Sequence, residues 1–158
     1  MSKISPCLWF DGKAEEAANF YVSMLPDSRI DYVAKSGVDT PGAKAGSVIL
    51  VEFTLAGQTY QALNGGPNFR FSEAISLSVS CADQTEVDRL WSALTADGGQ
   101  PVQCGWLKDR YGLSWQVVPE ILPKLMKSGD PDVARRVMAA IMQMVKLDVA
   151  AIERAAAG

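Results

Sequence analysis

Histidine is absent from the 158 residues, so Ser-His-Asp catalysis, Cys-His catalysis and imidazole-ligated metals are excluded at the outset. What remains with chemical capability is a set of amides, aromatics, thiols and carboxylates. Gln61 and Gln116 each close a glycine-to-aromatic-Gln run, Gly57-Gln58-Thr59-Tyr60-Gln61 and Gly112-Leu113-Ser114-Trp115-Gln116. An amide both donates and accepts, which suits orienting a polar ligand, although two glutamines also satisfy each other or backbone groups. Asn64 heads the turn Asn64-Gly65-Gly66-Pro67, a plain strand ending or a close backbone approach to a ligand. Trp106 offers an aromatic wall, whereas Trp115 and Tyr60, next to the glutamines in their strands, should pack on the opposite face.

Cys104, beside Gly105 and Trp106, is the one cysteine placed to react, but nothing near it in the sequence is certain to lower its pKa. With Cys7 and Cys81 it makes an odd, widely spaced set that suits neither a disulfide framework nor a cysteine-only zinc site. Asp109, between Lys108 and Arg110, reads as a solvated turn. Glu15 and Glu16 are explained by the dipole of the helix they begin.

The elements that must position these groups follow from periodicity. Ile4 to Phe10 is strand-like, and Ala14 to Leu25 is helical until Pro26 stops it. Strands are expected at Arg29 to Val33, Ser47 to Leu55 and Thr59 to Leu63, with a Gly/Pro-containing loop at Lys35 to Lys44. A second round begins at Ala74 to Cys81, where Ile75, Leu77 and Val79 alternate with serines. Asp83 with Glu86 forms a capping-box start for a helix ending at Thr95, before Asp97-Gly98-Gly99. Strands at Pro101 to Cys104, Trp106 to Asp109 and Ser114 to Val118 complete it. Each half is therefore βαβββ.

The repeat is visible in the residues, since Glu16 to Tyr21 lies 70 positions before Glu86 to Trp91. The same offset sets Pro6 opposite Ser76, Leu8 opposite Ser78 and Trp9 opposite Val79. From Asp130-Pro131 onward, Val133, Val137, Met138, Ile141, Met142, Val145, Val149 and Ile152 recur at helical spacing and predict one amphipathic helix with an apolar stripe to bury. Hydrophobic residues at 48%, charged residues at 21% and a net charge of −3 describe a folded chain without the basic field that nucleic acid requires. No segment approaches the roughly 20 apolar residues of a membrane span, and the N-terminus lacks an apolar leader, so the protein is expected in the cytoplasm.

Three runs narrow the comparison: Pro6-Cys7-Leu8-Trp9-Phe10-Asp11-Gly12-Lys13-Ala14-Glu15-Glu16-Ala17, Ala62-Leu63-Asn64-Gly65-Gly66-Pro67 and Cys104-Gly105-Trp106-Leu107-Lys108-Asp109-Arg110-Tyr111-Gly112-Leu113-Ser114-Trp115-Gln116. With the duplicated unit they resemble the PhnB-like, 3-demethylubiquinone methyltransferase-like group of the vicinal oxygen chelate superfamily, the glyoxalase and bleomycin-resistance fold. The resemblance implies an α+β fold in which two tandem βαβββ units form a cup-shaped mixed sheet, with C-terminal helices. It sets out one domain over 1–158, with unit one at 1–67, unit two at 73–119 and a C-terminal helical extension at 120–158.

Metal-binding members place ligands at positions that here correspond to Pro6, Gln61, Ser76 and Gln116. A proline, a serine and two neutral amides should not retain a divalent ion, and Cys7 is expected to point away from the face used by Pro6. No metal and no cofactor is therefore expected, and no glycine-rich strand-to-helix turn supports a nucleotide-type methyl donor. The ligand-pocket candidates are Gln61, Asn64, Ser76, Cys104, Trp106 and Gln116.

The leading expectation is metal-independent binding of a small organic molecule in the cup by a homodimer. The alternative is an enzyme of the same superfamily acting on a small oxygenated substrate, with an atypical metal site or none. An interaction module with a filled cup is the third reading.

Overall fold

Period-two alternation in the strands and helical spacing between them build an α+β chain of two βαβββ rounds followed by three helices. The computed structural model describes residues 2–158, and the chain divides into two compact units, one ending at Phe71 and the other spanning Ser72–Gly158.

In the first unit, β1 (Cys7–Phe10), α1 (Ala14–Met24), β2 (Arg29–Lys35), β3 (Val48–Leu55) and β4 (Gln58–Asn64) give a sheet ordered β1-β4-β3-β2. β1 runs parallel to β4, and the other pairs are antiparallel. Alternation sends Leu8, Phe10, Val51, Phe53, Leu55, Tyr60 and Ala62 into the core. They pack with Ala14, Ala17, Ala18, Tyr21 and Met24 of α1, which lies chiefly on β3. Burying a side chain the size of Phe53 contributes about 1.5–3 kcal/mol, so this apolar face is what holds the helix. Pro26 ends α1 by forcing Leu25 into an extended conformation (ψ 143°).

In the second unit, β5 (Ser76–Cys81), α2 (Gln84–Thr95), β6 (Gln100–Pro101), β7 (Trp106–Lys108) and β8 (Ser114–Pro119) repeat the pattern in the order β5-β8-β7-β6. α2 begins as its sequence requires, with the Asp83 carboxylate accepting from the Glu86 N–H at 2.9 Å. Leu77 and Val79 alternate with the serines as expected, but Ile75 precedes β5 and is 70% exposed.

The strand register corrects the 70-residue offset. Gln61 pairs with Cys7, whereas Gln116 pairs with Ser78. The strands are thus related by 71 positions, one more than the helices. Paired residues on adjacent strands share a face, so Cys7, not Pro6, accompanies Gln61.

The C-terminal expectation also changes. The extension holds α3 (Ile121–Met126), and the stripe after Asp130 is split between two helices, α4 (Pro131–Ile141) and α5 (Val149–Ala157). The chain leaves α4 after Ile141 because the Met144 and Val145 carbonyls accept from the Cys104 and Gly105 N–H groups, each at 2.8 Å. Leu147, outside the expected stripe, then seats against Gly105, where a Cβ would lie 2.9 Å from its Cγ. The small core is Val137, Ile141, Leu147 and Ile152, while Met138, Met142 and Val145 are left exposed.

The extension is fastened to its own unit. The Gln84 Nε2 donates to the Leu147 carbonyl at 3.1 Å and its Oε1 accepts from the Val149 N–H at 2.7 Å. Lys146 pairs with Asp88 at 2.7 Å. That pairing, with the hydrogen bond that Gln84 Nε2 also donates to Asp88 Oδ1 at 2.9 Å, holds the Asp88 carboxyl below the usual range.

Candidate functional site

Each sheet has one face buried by its helix and one carrying polar residues. On the open face of the first sheet, the register aligns Cys7, Gln61, Glu52 and Tyr32 in one row, and Thr59, Thr54 and Arg29 in the next. Ser5 joins the second row, its hydroxyl 2.7 Å from that of Thr59. A β-bulge between Ile30 and Tyr32 leaves Asp31 unpaired in the ladder. Its carboxylate accepts from Arg29 Nε at 2.8 Å and from the Thr54 hydroxyl at 2.7 Å. Ser5, Arg29, Asp31, Glu52, Thr54, Thr59, Tyr60 and Gln61 enclose a cleft of about 170 Å³.

On the open face of the second sheet, Ser78, Gln116 and Trp106 form one row and Ser76, Ser114 and Lys108 another. Gln116 Nε2 donates to the Ser76 hydroxyl at 3.0 Å. Lys108 is ion-paired with Glu73, which holds that carboxyl below its ordinary value. The Ser114 hydroxyl is buried and has no hydrogen-bond partner among the described residues.

Of the six expected pocket residues, Ser76, Trp106 and Gln116 therefore share the open face of the second sheet, and Gln61 lines the cleft of the first. Asn64 is instead 6% exposed on the helix-covered side. Its Oδ1 accepts from the Ala14 N–H at 2.9 Å and its Nδ2 donates to the Val48 carbonyl at 3.0 Å. Lys13 offers α1 no side-chain cap, and Asn64 supplies one from 50 residues away.

Cys104 sits in a left-handed turn (φ 59°) with its sulfur 3.8 Å from that of Met142, against the extension and off the sheet face. Gly65 is required by Trp9, whose indole ring atoms would lie 2.4 Å from a Cβ there, and the Trp9 Nε1 donates to the Gly66 carbonyl at 2.8 Å. Trp115 and Tyr60 are buried opposite the glutamines, as alternation required.

Asp109 is a correction. It is 2% exposed, and accepts from the Tyr111 and Leu113 N–H groups and from the Trp115 indole. The turn Asp109 to Leu113 folds around this carboxylate and so draws it inside.

The residues that the sequence reading missed are Ser5, Arg29, Asp31, Glu52, Thr54 and Thr59. Glu52 and Thr54 were available as the polar members of an alternating strand. Asp31 was not, because a bulge places it.

The donor set does not fit a divalent metal. Beside Gln61 stand Cys7 and Glu52, and beside Gln116 stand Ser78 and Trp106. Burial pushes the Cys7 thiol up, away from the thiolate that a soft metal needs. Among the described residues no three His, Cys, Asp or Glu side chains gather as a metal site. Nor does a nucleotide-type cofactor fit at the passage from β1 to α1. It contains a single glycine, Gly12, and the first N–H of the helix is already taken by Asn64.

A family model for 3-demethylubiquinone-9 3-methyltransferase matches residues 2–118. The PhnB protein of Bacillus cereus, which carries the same methyltransferase name, is 38% identical, with a TM-score of 0.68 over 75% of this chain and 99% of its own. Protein PA1353 from Pseudomonas aeruginosa shares the fold at 22% identity, with a TM-score of 0.62 over 76% of this chain and 98% of its own. No curated protein matches the sequence. The chain belongs to the PhnB-like, 3-demethylubiquinone-9 3-methyltransferase family, within the vicinal oxygen chelate superfamily that its repeated βαβββ units resemble.

Proposed function

We propose that the protein binds a small organic molecule without a metal, using the open sheet face that carries Gln61. The observation that carries this reading is the cleft of about 170 Å³, whose walls are hydroxyls, one amide and three charged groups. Such a set orients a ligand through hydrogen bonds but contains no paired nucleophile and base. Methyl transfer, which the name of the Bacillus cereus relative suggests, is not part of the proposal, because the passage from β1 to α1 does not fit a nucleotide-type methyl donor.

The protein is proposed to act as a homodimer in the cytoplasm. Exposed Met138, Met142 and Val145 in the extension support association, and three unbridged cysteines support a reducing compartment.

Elemental analysis of untagged protein, with a thermal-shift titration against divalent ions, tests the metal-free part. No stoichiometric metal and no saturable shift is expected; either would overturn it. A thermal-shift screen of small polar compounds in EDTA tests the binding part, since a ligand at 100 times its Kd adds about 2.7 kcal/mol of stability. Gln61→Ala should weaken whichever compound binds. Light scattering should give twice the chain mass, and a monomer would refute the dimer.

A further inference from the structure

We infer that the cleft of the first unit selects a small molecule bearing a protonated amine, which is held by Glu52; this rests on the ligand-binding reading proposed above. The charged groups in the cleft are one guanidinium, Arg29, and two carboxylates, Asp31 and Glu52. Asp31 is already engaged at both oxygens, by Arg29 Nε and by the Thr54 hydroxyl. That ion pair is neutral as a whole and fixed by the bulge. Among the described residues Glu52 has neither a hydrogen-bond nor an ion-pair partner, and it is only partly exposed. A ligand that fills the cleft strips water from this carboxylate. A neutral ligand leaves it unpaired, an anionic one adds repulsion, and a cation compensates it.

The neighbours of Glu52 suit an ammonium group. Gln61 lies directly across from it on β4, where the amide oxygen is a further acceptor. Tyr32 lies across from it on the edge strand β2 and is 59% exposed, so an aromatic ring stands at the rim of the same position. Along β3, Thr54 is two residues from Glu52, about 7 Å away, and with Ser5 and Thr59 it provides hydroxyl oxygens for the polar remainder of a ligand. The volume, about 170 Å³, is close to the roughly 150 Å³ that accommodates a single benzene ring. The ligand class is thus a ring-sized or shorter hydroxylated amine.

Calorimetric titration of the full chain with D-glucosamine, N-acetyl-D-glucosamine, D-glucose and D-glucuronate, followed by acyclic amino alcohols and their diols, tests the inference. Amines should bind saturably, neutral partners at least tenfold more weakly, and glucuronate weakest. Glu52→Gln should bring amine and neutral compound within about twofold of each other, while Glu52→Asp keeps part of the preference should the amide variant fold poorly. The inference is overturned if neutral or anionic compounds bind as well as amines, or if Glu52→Gln retains the tenfold preference. If those compounds bind and lose affinity in Gln61→Ala, the ligand-binding reading survives without the amine. If nothing of any charge binds, both fall.

Discussion

Replacing Asp109 with asparagine changes one atom's chemistry and almost no volume, yet it should destabilise the second unit by roughly 3–6 kcal/mol. The native carboxylate meets donors at both oxygens: Oδ1 accepts from the Tyr111 N–H at 2.8 Å and the Leu113 N–H at 3.1 Å, and Oδ2 from the Trp115 Nε1 at 3.0 Å. An asparagine oxygen can serve one side only. If it keeps the two backbone donors, its NH₂ faces the indole N–H, and two buried donors are left without acceptors at about 1–3 kcal/mol each. The two surviving bonds also lose charge assistance, which roughly halves their strength.

Urea denaturation followed by far-UV circular dichroism measures the loss, and thermal melts should fall by roughly 6–24 °C for a chain of this size. Trp115→Phe removes the opposing donor. The double variant should therefore be less destabilised than the sum of the singles by about 1–3 kcal/mol. A cost for Asp109→Asn below about 1 kcal/mol, the range of surface positions, or strict additivity, would refute the claim that this carboxylate organises the turn.

Gly65→Ala should cost about 1–3 kcal/mol by overpacking and shift the tryptophan fluorescence, because Trp9 must leave the ring position that a Cβ would occupy; an unchanged spectrum and midpoint would contradict this. Gln84→Ala should speed hydrogen exchange at the Val149 amide at least tenfold, equivalent to about 1.4 kcal/mol, while leaving the first unit's amides unchanged. Burial foremost, with Glu86 nearby, pushes the Cys81 thiol up to about 12. The folded state therefore favours the neutral thiol, so its contribution is intact below pH 9 and lost as the pH climbs towards 12. The urea midpoint should fall over that window in the parent and less so in Cys81→Ala, and a thiol reagent at pH 8 should spare Cys81 until the chain unfolds.

Local chemistry carried the parts of the fold that depend on neighbours in the chain. Asp83 with Glu86 and Asp130 with Pro131 specify helix starts through bonds within three residues, and both helices begin there. Pro26 ends α1 by local sterics. Strand alternation set Trp115 and Tyr60 on the faces opposite Gln116 and Gln61, because that period is a property of the extended backbone. The apolar stripe after Asp130 misled for the converse reason: spacing records what a helix would bury, and carbonyls claimed by Cys104 and Gly105 broke that helix.

The candidate site divides along the same line. The absence of histidine by itself removed whole classes of catalysis, and the twin glycine-to-glutamine runs by themselves marked the repeat and its last strands. Only the tertiary structure decided which side chains share a face. A one-residue difference in register exchanged Pro6 for Cys7 beside Gln61, and a bulge brought Asp31 to Arg29 and Thr54. Asn64 was drawn away to cap a helix that begins 50 residues earlier. Composition and spacing are fixed along the chain, whereas strand pairing is settled by burial and hydrogen bonding between segments that the sequence keeps far apart.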